Sequence, residues 1–235
     1  SMSTSTGGGT NSCGASQNRM SDARCVLQRV VNGYGDVSFG LERYAAASTD
    51  LTCSASCSTG STCGCTETYL NCSGCGNNGS GCPAAGSTAA QGQILVPIAA
   101  ENQGHILRWV DFSCGGTTPC SPPVYPWVLT TTNPELSAVT WTPIAGSLRA
   151  ARRYFLGMDP TYPTSPLAGD PAGTCRPVNV ILLTDGEETC ASDAQTIAAA
   201  TELRTTMVGA VTYDIRTYVI GFGTTDASLT TIATA

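Results

Sequence analysis

Val178-Asn179-Val180-Ile181-Leu182-Leu183-Thr184-Asp185-Gly186-Glu187 is the stretch whose reading decides the fold. Val178 to Leu183 is an almost continuous apolar run of one strand's length, the pattern of a parallel strand covered on both faces. It ends in Thr184-Asp185-Gly186, a turn signal. The next segment reads as helix. Ser192 with Gln195 forms a capping box, and Ile197, Ala200, Leu203 and Met207 supply the buried side of the helix it starts. Ile215, Thr217, Val219 and Gly221 then alternate with Arg216, Tyr218 and Ile220 through a final strand, and 225–235 begins another helix. Alternating strands and helices are the mark of an α/β sheet.

Upstream, Ile144, Leu148, Ala151 and Phe155 form one stripe, with Arg149, Arg152 and Arg153 on the other side. Thr142 stands at the N-cap of this helix and Pro143 in its first turn. From Ser21, a cap, the positions Ala23, Val26, Leu27, Val30 and Val31 keep helical spacing, and Gly33 ends the run. Val37, Phe39 and Leu41 alternate with Ser38, Gly40 and Glu42 as in a strand. Ile94 to Ile98 reads as another strand, and Ile106, Leu107, Trp109 and Val110 as a short helix. Pro122, Pro123, Pro126 and Pro134 keep the next stretch irregular. Ser1 to Asn18 reads as a glycine, serine and threonine loop. The expected architecture is a doubly wound, mostly parallel sheet with helices on both faces. Residues 50–92 interrupt it with a cysteine-, glycine- and serine-rich tract that has almost nothing large and apolar to bury, an insertion on the surface.

A chain of 235 residues with 41% hydrophobic content supports one sizeable core. A net charge of −6 leaves no basic face for a phosphate backbone, so nucleic acid is excluded as a partner and an anionic membrane surface is disfavoured. No run approaches the roughly 20 apolar residues needed to cross a bilayer.

Thirteen cysteines point to an oxidising compartment, secreted or at the cell surface. Cys53, Cys57, Cys63, Cys65, Cys72, Cys75 and Cys82 crowd into the inserted tract. The pairs Cys63-Gly64-Cys65 and Cys72-Ser73-Gly74-Cys75 could serve as zinc thiolates, but no matching histidine or second regular pair completes a tetrahedral set. Disulfides mainly within the tract, with at least one cysteine left over, are the better reading. Cys114 and Cys120 are close enough to close their own loop. Cys175 and Cys190 flank the strand 178–183, which spans roughly 20 Å at about 3.3 Å per residue. A disulfide needs α-carbons within about 7 Å, so these two should not pair. Cys190 falls at the strand's carboxyl end, with Cys13 as a candidate partner.

In an open parallel sheet, ligands gather at the carboxyl ends of the strands. Thr142 and Asp185 are both placed there. A hydroxyl with a carboxylate is a hard-oxygen set, suited to magnesium, manganese or calcium and poor for zinc or copper. The blander readings are a turn aspartate and an ordinary N-cap threonine. Glu187 and Glu188 read as a solvated acidic loop, because no nucleophile is placed to use them. His105, the one histidine, reads as a helix-start residue, and Trp109, Trp127 and Trp141 as anchors of loops. Nothing assembles an enzyme site.

Val180 to Glu187 resembles the fourth strand of von Willebrand factor type A domains, and Thr142-Pro-Ile-Ala-Gly-Ser-Leu148 resembles their metal-binding threonine helix. Ser21 to Tyr44 is similar to their first helix and second strand. The resemblance implies the Rossmann-like A-domain fold over 1–235, cut at both ends, with 50–92 inserted in it. It also implies a metal-ion-dependent adhesion site (MIDAS), built in that family from an Asp-x-Ser-x-Ser loop, a threonine and an aspartate. Thr142 and Asp185 would be the last two. The chain lacks Asp-x-Ser-x-Ser and an apolar first strand, but it opens Ser1-Met2 where the family's loop commonly reads Asp-x-Ser-Gly-Ser-Met. On that match Ser1 is the loop's last serine. The implied function is extracellular adhesion or protein binding, in which a divalent cation (Mg2+, Mn2+ or Ca2+) offers an open position to a carboxylate or other oxygen of a protein or surface ligand. The alternative is a structural module for filament or cell-surface assembly with a vestigial or incomplete metal site. The cysteine-rich insertion, with the pairing of Thr142-Pro-Ile-Ala-Gly-Ser-Leu148 and Leu182-Leu-Thr-Asp-Gly-Glu187, most resembles secreted bacterial members, among them tip adhesins of type IV pili.

Overall fold

The computed structural model describes residues 2, 5–44, 92–112, 136, 142–159, 161–170, 172–173, 175–224 and 226–235. The readings for Ser1, for the seven cysteines from Cys53 to Cys82, and for Cys114 and Cys120 lie outside these residues. The chain divides into two compact units, Ser1–Leu41 with Val96–Thr140, and Glu42–Leu95 with Trp141–Ala235.

In the first unit, β1 (Ser5–Thr10) pairs antiparallel with β2 (Ser16–Asn18), where the sequence suggests only loop. Every β1 residue is exposed, so no apolar alternation marks the strand. Asn11 Oδ1 folds the intervening turn by accepting from the amides of Cys13 (3.0 Å) and Ala15 (3.1 Å), an Asx-type contact. The turn delivers Cys13 to helix α1 (Arg19–Gly33), where it is bonded to Cys25 with α-carbons 5.7 Å apart. The expected Cys13–Cys190 pairing is therefore corrected. Cys25, on the buried side of α1, is only a hairpin away in sequence. The cap of α1 is also one turn earlier than expected: Asn18 Oδ1 accepts from the Ser21 amide (2.9 Å), and Ser21 Oγ accepts from the Asn18 amide (3.2 Å). Ser21 is thus the third residue of a capping box and Asn18 its cap. Helix α2 (Gln103–Leu107) begins after Asn102, whose side-chain amide donates to the carbonyls of Phe39 (2.6 Å) and Pro97 (2.7 Å). Those carbonyls belong to the paired strands β3 (Phe39–Tyr44) and β4 (Gly92–Ala99), which run on into the second unit.

The second unit is built on β5 (Asn179–Thr184) and β8 (Arg216–Gly221), parallel from Asn179↔Arg216 to Thr184↔Gly221. Helix α3 (Ile144–Phe155) buries Ile144, Leu148, Ala151 and Phe155, the expected stripe, and packs on α4 (Asp193–Arg204). Ile144, Leu148, Leu203 and Ile215 are almost wholly withdrawn from solvent. Full burial of a side chain of this size contributes about 1.5–3 kcal/mol. Helix α3 stops at Gly157 (φ 70°), where Met158 N donates to Arg153 O (2.8 Å) and Gly157 N to Tyr154 O (2.9 Å), a Schellman end. Ser192 and Gln195 cap α4 reciprocally, as the sequence implies. That helix ends at Arg204, and the chain turns into a hairpin of β6 (Thr205–Val208) and β7 (Val211–Asp214) around Gly209 (φ 61°). Met207, expected on the helix's buried side, is 59% exposed on β6. The adjacent β-branched Thr205 and Thr206 favour the strand, and Thr206 takes the buried position instead. Helix α5 (Ala227–Thr234) closes the described chain.

The class is mixed α and β. Among the described residues, however, the strands form four two-stranded sheets, of which β1-β2 and β6-β7 are antiparallel and β5-β8 is parallel. Among the described residues β5 is covered on one face. Leu182 and Thr184 are buried with Thr217 of β8, while Ile181 (54%), Tyr218 (52%) and Ile220 (41%) leave the opposite face open. A strand with apolar residues on both faces looks the same in sequence whether or not both are covered.

Candidate functional site

Strand β5 hands the chain to the loop 185–192, and that loop is tied to the start of α3. The Thr142 amide donates to Thr189 Oγ1 (2.7 Å), and the Thr189 amide donates back to the Thr142 carbonyl (3.2 Å). Glu188 makes the second tie. Its Oε2 accepts from the Ala145 amide in the first turn of α3 (2.6 Å) and from Thr196 Oγ1 (3.4 Å). Its Oε1 accepts from the amides of Cys190 (2.7 Å) and Ala191 (3.1 Å). Thr142 Oγ1 consequently lies against Gly186, 3.6 Å from where a β-carbon would stand there. The threonine hydroxyl therefore stands beside the Asp185–Gly186 corner.

Thr142 is not the cap of α3. The N-cap position is Pro143, which has no side-chain cap bond, and the helix runs from Ile144. The carboxylate of Glu188 reaches across from the other loop to the orphan amide of Ala145, and negative charge at a helix start is favourable. Thr142 is thereby relieved of capping. Glu188 itself is half-buried rather than solvated, while Glu187 is exposed as expected. Burial pushes the Glu188 carboxyl above the usual carboxylate range, and its four donors pull the other way. Nothing local in the sequence signals this role, because each donor that matters belongs to a turn or helix formed only in the fold.

Cys190, buried in the loop 185–192, is disulfide-bonded, and its partner is neither Cys13 nor Cys175. Cys175 is exposed at the other end of β5. Of the remaining candidates, His105 lies in α2 and Trp109 is buried as an anchor, both in the first unit; Trp127 and Trp141 lie outside the described residues.

The end of β3 contributes two residues that sequence pattern does not single out. Glu42, on the polar side of the strand alternation, and Tyr44 share one face of β3. Among the described residues the buried Glu42 Oε1 has no hydrogen-bond partner, and the buried Tyr44 hydroxyl lies beside the Thr184 side chain. Glu42 Oε1 lies over Gly92 of β4: a β-carbon on that glycine would stand 1.8 Å from the oxygen and 2.8 Å from the Ser147 α-carbon of α3. Burial, then the charge of Asp159, raises the Glu42 carboxyl well above its usual range. Burial likewise raises Tyr44; the neighbouring Thr184 hydroxyl opposes this, and the charges of Glu188, Glu42 and Asp185 add to it. The main charges acting on this interior are all negative.

Folding therefore favours the protonated Glu42. A carboxyl raised in the fold contributes stability that is fully present below its unfolded pKa, near 4.5, and is lost as pH rises through the folded value. Each such group can change stability by up to about 1.4 kcal/mol per pH unit. Urea unfolding should show a more stable protein at pH 5 than at pH 7.5, and Glu42→Gln should flatten most of that slope. A slope unchanged in the variant would show that Glu42 ionises alike in both states.

Among the described residues no three His, Cys, Asp or Glu side chains converge as a metal cluster. What this part of the chain carries instead is one carboxylate residue, Asp185, and one hydroxyl residue, Thr142, hard-oxygen types of the kind that suit Mg2+, Mn2+ or Ca2+. No family profile, no curated protein and no solved structure matches the chain. No helix among the described residues is long and apolar enough to cross a membrane.

Proposed function

We propose that this chain is a von Willebrand A-type module for adhesion or protein binding, working outside the cell through a divalent cation held at the rim by Thr142 and Asp185. By resemblance Ser1 joins the set, and the complete fold is a doubly wound sheet with helices on both faces. One observation carries the reading: the reciprocal Thr142–Thr189 bonds and the Glu188 clamp hold the start of α3 against the end of β5, so hydroxyl and carboxylate belong to one rim. The protein oxygens leave a coordination position for a carboxylate or other oxygen of the ligand. The chain is a binder, not an enzyme. The Cys13–Cys25 bond fits a secreted or surface protein, since such bonds persist in oxidising compartments.

Titration with Mn2+, monitored by the loss of the free-ion EPR signal, tests this directly. The protein should take up Mn2+, Mg2+ should compete, and Asp185→Ala should weaken uptake more than 10-fold, with a smaller loss for Thr142→Ala. Equal Mn2+ uptake by both variants and the parent would refute the assignment.

A second reading, a structural module of a filament or surface assembly, gains support from the open face of Ile181, Tyr218 and Ile220. Assembly that persists in EDTA and is abolished by Tyr218→Asp would favour it.

A further inference from the structure

Glu188 and Thr142 are rivals for one amide. A threonine directly before a proline-led helix normally caps it, its hydroxyl accepting from the amide two or three residues on. Three residues on from Thr142 is Ala145, and its amide donates to Glu188 Oε2 instead (2.6 Å). Helix α3 accordingly begins at Ile144 with no side-chain cap of its own. Pro143 stands before it in an inverse γ-turn (φ −81°, ψ 71°), closed by the Ile144 amide donating to the Thr142 carbonyl (3.0 Å). The displaced Thr142 hydroxyl stands beside the Asp185–Gly186 corner. Pro143 φ already lies in the helical range, so a change in its ψ would bring Thr142 into the capping position. Which group takes the Ala145 amide therefore decides where the threonine hydroxyl goes.

We infer that Glu188 is a positioning residue for the cation: by occupying the Ala145 amide it keeps the Thr142 hydroxyl out of the helix cap and available as a ligand. The inference rests on the cation reading above. The length of the side chain is what allows this. Glu188 Oε1 accepts from the amides two and three residues on, those of Cys190 and Ala191, just as the shorter carboxylate of Asp159 accepts from Thr161 and Tyr162. Glu188→Asp would thus keep both the loop bonds and the charge. It would lack the methylene that carries Oε2 across to α3, and the Ala145 amide would pass to Thr142.

The experiment compares the parent with Glu188→Asp, Thr142→Ala, the double variant and Asp185→Ala, by Mn2+ titration with EPR and by melting in EDTA. Glu188→Asp should lose as much Mn2+ affinity as Thr142→Ala, although it removes no charge, and the double variant should bind no more weakly than either. In EDTA, Thr142→Ala should melt with the parent. In the Glu188→Asp background the same change should lower the melting temperature by about 2–4 °C, the loss of a typical cap in a chain of this size. A hydroxyl that matters to stability only when residue 188 is shortened is a pattern that neither packing nor charge produces. Parent-like Mn2+ affinity in Glu188→Asp, or losses that multiply in the double variant, would overturn the inference, and the rim assignment survives if Asp185→Ala still loses Mn2+. Thr142→Ala melting early by itself would show that Thr142 already caps α3, which overturns the inference even if Glu188→Asp does not fold. If the parent takes up no Mn2+, the rim assignment fails and the positioning role fails with it.

Discussion

Glu188→Ala should lower the unfolding free energy by about 3–5 kcal/mol, because it strands three backbone amides at once. Those of Ala145, Cys190 and Ala191 all end on this carboxylate. An unsatisfied buried donor costs about 1–3 kcal/mol. Half-burial lets water recover part of each, which holds the sum below three full penalties. Against a total stability of about 5–15 kcal/mol for an ordinary domain, the loss is large. Glu188→Gln separates the two halves of the clamp, since its one carbonyl oxygen can serve either the α3 amide or the loop amides but not both. It should lose roughly half as much. Urea unfolding tracked by tryptophan fluorescence measures both, and a loss under about 1 kcal/mol for alanine would mean that water replaces the carboxylate without penalty.

Gly92→Ala should cost about 2–4 kcal/mol, at or above the usual range for overpacking a core. The added methyl meets Glu42 Oε1 at 1.8 Å and the Ser147 α-carbon at 2.8 Å. A carboxyl can rotate away, but the backbone of a packed helix cannot. The double variant Gly92→Ala with Glu42→Ala divides the two terms: removing the carboxyl relieves the closer contact and leaves the backbone one, so the pair should couple favourably by about 1 kcal/mol or more. Additive losses would place the strain wholly against α3.

Local chemistry accounts for what the sequence discloses. The reciprocal cap of Ser192 and Gln195 and the stripe from Ile144 to Phe155 depend on residues within a few positions of one another, so pattern and structure agree. The rim is legible for a different reason. An apolar strand ending in Thr184-Asp185-Gly186 and a helix opening after Thr142 each carry their own end signal. The hidden features are non-local or unpatterned. The β1-β2 ladder is polar throughout, and the β6-β7 hairpin comes after a helix with no proline to stop it. Glu188 serves amides on two separate elements, and the burial of Glu42 depends on a glycine in another strand. The Cys13–Cys25 bond is illegible because the strand pair that brings Cys13 to α1 has the composition of a loop, and the cap of α1 lies more than a turn before Ala23, where its apolar stripe opens.

The register of β5 with β8 also fixes an order of events during synthesis. Asn179 pairs with Arg216 and Thr184 with Gly221, and everything from α4 to β7 lies between. Helices and hairpins of that kind form within about 10 microseconds of being free to do so. Translation at about 5–20 residues per second keeps β5 without its parallel partner for a time on the order of seconds. Throughout that interval the chain's most apolar strand has an open edge, the state in which strands recruit the wrong neighbour. Either α3 and α4 shelter it in advance, or the nascent chain is held unfolded until Gly221 has emerged.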